Sequence, residues 1–279
     1  MTSNADFIRP PRVAGSFYPA ERKELGLLID QLMVPVPNYS LNGSLMALIE
    51  PHAGYRYSGI TAAFGYALLR NLSFDCIVIV SPSHREYFNG ISVFPGKAYQ
   101  TPFGILPVDR ELAGKLADSD PIISLSMKGH GDEHAIEVQL PFLQKNLEAP
   151  TILPIVIGDQ RKEYCFHLGE LLGGILAGRK PLLIASSDLS HYYPSPAANA
   201  LDAIAIGSIT RFDPHTLMED LEQNRTEACG GGPIVSVLTA AKALGADSVE
   251  ILDHRTSGDV TGDHSSVVGY LSAAIYRKN

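Results

Sequence analysis

Six short apolar runs interleaved with six helical patterns leave this chain few folds to choose from. The runs are Leu45–Ile49, Cys76–Val80, Ile152–Ile157, Leu182–Ala185 and Val249–Leu252, with Val267–Ile275 as a longer terminal one. Turn residues close most of them, as expected of buried strands. Helical patterns cover Gly59–Arg70, Asp109–Ala117, Glu133–Leu147, Arg161–Ala177, Ala197–Thr210 and Pro233–Leu244. Pro141 lies inside the third, which predicts a kink or break there. A strand that is apolar on both faces must be covered on both. The pattern therefore predicts an α/β fold: a central, mostly parallel sheet flanked by helices on both faces. At about 150 residues per domain the length would allow two domains. However, no stretch has the composition of a linker, and the turn-rich segment from Pro95 to Pro107 carries enough apolar side chains to pack. Residues 1–279 are expected to form a single domain.

Charge narrows the partners. Asp and Glu outnumber Lys and Arg by 30 to 22, a net charge of −8, and no basic run occurs. Nucleic acids and anionic membranes need clustered Lys or Arg, so neither is expected. No apolar stretch approaches the roughly 20 residues of a membrane helix, and the MTSNADFIRPPR terminus lacks an apolar signal core. Cys76, Cys165 and Cys229 are odd in number and scattered, which predicts free thiols and a cytoplasmic setting. There is no Walker A loop, no Gly-x-Gly-x-x-Gly after a strand and no Gly-x-Ser-x-Gly elbow.

The residues just past the strands are more informative. Leu45–Ile49 runs into Glu50-Pro51-His52-Ala53-Gly54-Tyr55, Cys76–Val80 into Ser81-Pro82-Ser83-His84, and Leu182–Ala185 into Ser186-Ser187-Asp188-Leu189-Ser190-His191. Three strands thus release a His within a few residues of their carboxyl ends, the edge where open α/β sheets bind ligands. His52 and His84 suit a transition-metal site, since imidazoles are its commonest donors; a turn or capping role is the alternative for each. Cys229, in Glu227-Ala228-Cys229-Gly230-Gly231-Gly232-Pro233, is the candidate third ligand, because a helix amino terminus favours a thiolate. A small buried Cys before a Gly-rich helix start is its alternative. His191 and Asp188 are candidates for proton transfer, with capping as the competing role of Asp188. His134 and Glu137 stand at i and i+3 of a helical pattern and offer either a helper to that chemistry or a salt-bridged helix start. Thr256–Asp263 lacks the glycine and glutamate of a calcium loop, so a tight turn with Asx contacts is expected.

Several blocks together resemble one family. Val13-Ala14-Gly15-Ser16-Phe17-Tyr18-Pro19, Pro51-His52-Ala53-Gly54-Tyr55, Tyr57-Ser58-Gly59 and Ser81-Pro82-Ser83-His84 are similar to the Memo family. Thr101-Pro102-Phe103-Gly104, Glu133-His134-x-Ile136-Glu137, Ser186-Ser187-Asp188-Leu189-Ser190-His191, Cys229-Gly230 and Ser257-Gly258-Asp259 continue the match. The prokaryotic members are called AmmeMemoRadiSam system protein B. The resemblance implies a fold similar to class III extradiol dioxygenases, which open catechol rings with nonhaem iron(II) held by two His and one Glu. By position His52 and His84 look like the two His ligands, and His191 resembles the acid–base His. Cys229 falls where the Glu stands. Thiolate is softer than carboxylate and favours copper(I) or zinc, or a differently tuned iron; iron(II) or copper is the expected ion, with zinc as the alternative. Dioxygenase activity therefore does not transfer with the fold.

The expected function is a metal-binding protein with a nonhaem dioxygenase-like pocket, acting in oxygen- or redox-dependent fashion on a small oxygen-rich or phenolic substrate. The metal set is His52, His84 and Cys229; His191, Asp188 and His134 handle protons. The alternatives are a peptide- or protein-binding adaptor with Tyr55, Tyr57 and Tyr99 at the pocket mouth, and a protein that sequesters copper or iron. The resemblance further implies an AMMECR-type protein and a radical enzyme as partners.

Overall fold

The structure, a computed structural model, describes residues 4–38 and 40–279. The first half of the chain holds β1 (Ile8–Arg9), α1 (Arg22–Met33), β2 (Gly43–Glu50), α2 (Tyr55–Ala67), β3 (Cys76–Pro82), β4 (Ile91–Val93), β5 (Ala98–Thr101), β6 (Gly104–Pro107), α3 (Arg110–Ser119), β7 (Ile123–Leu125) and α4 (Leu140–Asn146). The second half holds β8 (Ile152–Ile157), α5 (Lys162–Ile175), β9 (Pro181–Ser186), β10 (His191–Tyr193), α6 (Ser195–Thr210), α7 (Pro214–Glu222), α8 (Gly231–Ala243), β11 (Ser248–Thr256), the short α9 (Gly258–Thr261) and β12 (Val267–Lys278). None of the helices described is long and apolar enough to cross a membrane.

The main sheet runs β10-β12-β2-β9-β3-β8-β4-β7, with β11 also paired to β12. Its centre, β2-β9-β3-β8, is parallel throughout. Antiparallel pairs enter toward the margins, β12 against β2, β11 and β10 on one side and β4 against β8 on the other, while the outermost β7 is parallel to β4. The expected α/β sheet is thus parallel where helices cross over and mixed outside. The short connection between β11 and β12 permits only an antiparallel pair. A second sheet, β1-β5-β6, is built partly from the turn-rich segment around residues 95–107.

Strand residues alternate between two cores. Val78 and Val80 face a cluster with Leu168 and Leu172 of α5, Ala205 of α6, and Val235 and Leu238 of α8. Ile77 and Ile79 face Leu25 and Ile29 of α1, Tyr66 of α2 and Phe142 of α4. Covering on both faces explains why these strands read as unbroken apolar runs rather than alternating ones. Three helices, α1, α7 and the short α9, lie outside the predicted set. Leu25, Ile29 and Met33 form the buried stripe of α1, and Asp213 caps α7 by accepting from the amides of His215 and Thr216. The predicted Glu133–Leu147 helix is instead a 3-10 turn at Glu137–Gln139 followed by α4. Pro141 falls in the first turn of α4, where its missing N–H costs nothing.

One close approach ties the sheet to the loop carrying His191. Asp202 on α6 is fully buried; its carboxylate accepts from the amide of Ser190 at 3.0 Å and faces His254 Nε2 at 3.0 Å. A methyl group on Gly269 of β12 would stand 2.0 Å from Asp202 Oδ2. Gly269→Ala is expected to lower stability by about 1–3 kcal/mol through this overpacking. The check is a drop in the urea midpoint at unchanged slope.

Candidate metal centre

Because β2, β9 and β3 are parallel neighbours, their carboxyl ends share one sheet edge. Three segments meet there: Pro51–Gly54, Ser83–His84 and Ser187–His191. Two more close the site, the loop before the 3-10 turn with Glu133 and His134, and the stretch leading into α8 with Cys229. His52, His84 and Cys229 each offer one donor atom, and these atoms lie within 4.8 Å of one another. The His52 and His84 rings meet edge to face at 5.0 Å, and His134 stacks on His84 at 4.9 Å.

Hydrogen-bond accounting fixes the tautomer of both candidate imidazole ligands. Ser186 Oγ donates its single proton to the carbonyl of Ala135 and accepts from Gln139 Nε2, each at 2.8 Å. His52 Nδ1, 2.9 Å from the same oxygen, must therefore be the donor, which leaves a lone pair on Nε2. His84 Nδ1 lies 2.9 Å from Glu133 Oε1. Glu133 is buried and ionised, so His84 Nδ1 also carries the proton and Nε2 is free. A ring nitrogen donated to carboxylate or hydroxyl is the outer-shell arrangement that orients metal-ligating His. Burial drives the pKa of His52 well below the ordinary imidazole value, and the neighbouring His84 and His134 push the same way. A neutral ring is the form that binds metal.

Cys229 enters through backbone that only glycine permits. A Cβ on Gly230 would stand 2.3 Å from the carbonyl oxygen of Ser186, so the chain crosses the end of β9 at contact distance. Asp188 and Cys229 then hold each other: the Cys229 amide donates to the Asp188 carbonyl at 3.2 Å, and the Asp188 amide to Sγ at 3.3 Å. Sγ lies 3.1 Å from His52 Nε2. Burial, then the Asp188 charge, push the thiol pKa upward. Cys76 and Cys165 are buried elsewhere, as expected of core thiols.

Glu133 organises the His84 side. Oε1 takes His84 Nδ1 and the amides of His134 and Ala135, while Oε2 takes the amide of His84 at 2.6 Å. Burial alone would raise its pKa, but the His84 hydrogen bond and charge hold it down at about 2. The sequence motifs hold Glu133 and Ser186 but give neither a role at the site, and Gln139 stands outside them. The available signal was that a metal-ligating imidazole needs an acceptor for its second nitrogen.

The remaining candidates diverge. Asp188 is buried, and its Oδ1 accepts from the amide of His52 at 2.8 Å; it holds the ligand loop rather than an imidazole. Burial raises its pKa to about 6 against the opposing effect of that bond. His191 Nδ1 lies 2.8 Å from the carbonyl of Leu189. A carbonyl only accepts, so Nδ1 carries the proton and Nε2 is the basic nitrogen. His134 does not share a helical face with Glu137, because the chain there is not α-helical. Its ring packs on Phe17 at 4.9 Å, and its Nδ1 is buried, 3.3 Å from Glu133 Oε1 without hydrogen-bond geometry. Burial lowers its pKa to about 4. Tyr55 and Tyr99, expected at a pocket mouth, are buried, bonded to the Val138 carbonyl and to His130. Tyr57 alone of the three is exposed.

The donor set fits a transition metal. In a tetrahedral site with bonds of about 2.0–2.3 Å, ligand atoms stand about 3.3–3.6 Å apart, a spacing reached by small shifts from the 3.1 Å between Sγ and Nε2. Both free imidazole lone pairs are set in advance, and the thiol would release its proton to solvent on binding a metal. His84, Glu133 and His134 form a second group of donors, but Glu133 Oε1 is already taken by three N–H groups.

Residues 9–274 match the Memo-like protein family. A MEMO1 family protein of Methanosarcina barkeri is 39% identical over 275 residues, covering 96% of this chain and 100% of its own. One from Nitrosopumilus maritimus is 36% identical over 268 residues, covering 94% and 98%. One from Aquifex aeolicus is 37% identical over 265 residues, covering 95% and 97%. The crystal structure of the uncharacterized protein JW3007 from Escherichia coli K12 shares the fold, with a TM-score of 0.60 at 20% identity over 83% of this chain and 99% of that one. With relatives matching nearly end to end, this chain belongs to the Memo family.

Proposed function

We propose that this protein binds a transition metal through His52, His84 and Cys229 and uses it in oxygen- or redox-dependent chemistry on a small oxygen-rich or phenolic molecule. The carrying observation is that both imidazoles have their Nδ1 proton engaged, by Ser186 and by Glu133, that His52 Nε2 stands 3.1 Å from the Cys229 thiol, and that His84 offers a donor atom within 4.8 Å of both. When bound, the ion supplies a Lewis acid and a redox centre. The chain's own groups do the rest. Asp188 fixes the His52 backbone, Glu133 fixes His84, and His191 Nε2 takes or returns a proton at the side of the site that Cys229 shares. Iron(II) or copper is the favoured ion for redox chemistry, and zinc, which a thiolate also suits, is the alternative. That same thiol supports a second reading, a copper- or iron-holding protein without turnover. Free cysteines support a cytoplasmic setting for either.

Elemental analysis of protein purified without oxygen tests the proposal. Near-stoichiometric iron or copper is expected, lost in a folded variant combining His52→Ala, His84→Ala and Cys229→Ala. His191→Ala should retain the metal and lose oxygen-dependent turnover; retained metal with no turnover in the wild type favours the holding role. No metal, and none taken up on addition, would overturn both readings in favour of a peptide- or protein-binding module.

A further inference from the structure

A cavity of about 430 Å³ opens beside Cys229 and His191. Part of its lining is apolar, from Met218, Leu221 and Ala228. Its charged side chains are Glu222 and Glu227, and among the described residues neither Lys nor Arg lines it. Arg225, between them in sequence, is turned to Asp220, with Nε 2.6 Å from Oδ1, so its charge is spent there. Glu227 is held in place by the hydroxyl of Tyr193, which donates to Oε1.

Two carboxylates on a concave wall focus a negative potential into the space between them. An anionic ligand would meet like charge at this wall, and a cation would be drawn in. A bare hydrated ion would gain nothing from the methionine, leucine and alanine that also line the cavity, whereas an apolar body would bury surface against them. The volume lies toward the small end of ligand pockets, room for a single-ring molecule.

We infer that this cavity takes a small organic cation, an amine carried on an aromatic or other apolar body, with the ammonium against Glu222 and Glu227 and the far end toward Cys229 and His191. The inference deepens the proposed function by naming a substrate class, and rests on it only for what happens at the far end.

Calorimetric titration with three para-substituted phenols tests it: tyramine, 4-hydroxyphenylacetate and p-cresol, each on chelator-stripped and on metal-loaded protein. Tyramine should bind about tenfold tighter than the acid at low salt, the size expected of two partly exposed ion pairs. The gap should shrink in about 0.5 M salt and vanish in a Glu222→Gln, Glu227→Gln variant whose metal content is unchanged. Equal affinities, a preference for the acid, no binding of any probe, or a preference that survives in the variant would each overturn the inference. Amine preference in protein that never takes up metal would keep it and remove the metal centre; metal uptake without amine preference would do the reverse.

Discussion

Glu133→Gln is expected to weaken metal binding by about 10–100-fold while leaving the fold intact, the usual cost of losing an outer-shell partner. The carboxylate serves four N–H donors, with Oε1 taking three and Oε2 one. Glutamine keeps the volume but has one acceptor oxygen. Whichever way its amide turns, an NH2 group meets an N–H that formerly had an acceptor. If the amide nitrogen faces His84 Nδ1, the ring loses the group that keeps its proton there and its lone pair on Nε2. Acid titration gives an independent readout. A carboxyl held at about 2 rather than its ordinary 4.5 adds stability above pH 4.5, and that stability is lost as pH falls toward 2. In the glutamine variant this part of the acid unfolding profile should flatten. Competition against a chromophoric chelator measures the affinity, and circular dichroism controls for folding. Unchanged affinity would mean that Glu133 holds backbone and nothing more.

That Glu133 had to be found in three dimensions shows where sequence patterns stop. Strand runs such as Ile152–Ile157 were legible because a strand covered on both faces is apolar at every position, and the three strand-end histidines share an edge because their strands pair in parallel. Two of the three candidate ligands, His52 and His84, follow strand ends, and the third, Cys229, stands just before α8. The groups that orient them are set by contacts across large sequence gaps: Ser186 to His52, Glu133 to His84, Asp188 to the His52 amide. No local spacing encodes these. The His134–Glu137 pair misled for a related reason. Its i, i+3 spacing is helical in form, but Glu133 accepts the amides of His134 and Ala135, and the two carboxylates serve different parts of the fold. Tyr55 and Tyr99 look like mouth residues in a motif-rich stretch, yet their hydroxyls find buried partners, which lets them sit in the core.

The second large effect is expected at Glu137, where Glu137→Ala should cost about 3–5 kcal/mol of stability, the penalty for stranding a buried charge. Arg9 Nη1 lies 2.7 Å from Glu137 Oε2, and both side chains are buried, 1% and 0% exposed. The guanidinium also donates to the carbonyls of His130, Gly131 and Glu133. Glu137 in turn accepts from the amides of Arg12 and Val13 and from Tyr18. Alanine therefore leaves one buried cation and three donors without their acceptor. The ion pair spans the N-terminal segment and the loop that carries Glu133 and His134, and Phe17 lies on His134 while its carbonyl accepts from the Tyr55 amide. Loosening it should slacken the wall of the metal centre as well as the fold. A double variant, Arg9→Met with Glu137→Leu, removes both charges and should recover much of the lost stability, since an apolar pair often equals a buried ion pair. It would not restore the guanidinium bonds to the Glu133 loop. Urea unfolding should thus place the double variant above Glu137→Ala and below wild type, since the Arg12, Val13 and Tyr18 donors still lack their acceptor. Metal affinity should remain reduced in both variants. Equal metal affinity in all three proteins would separate the N-terminal segment from the site and confine this ion pair to stability alone.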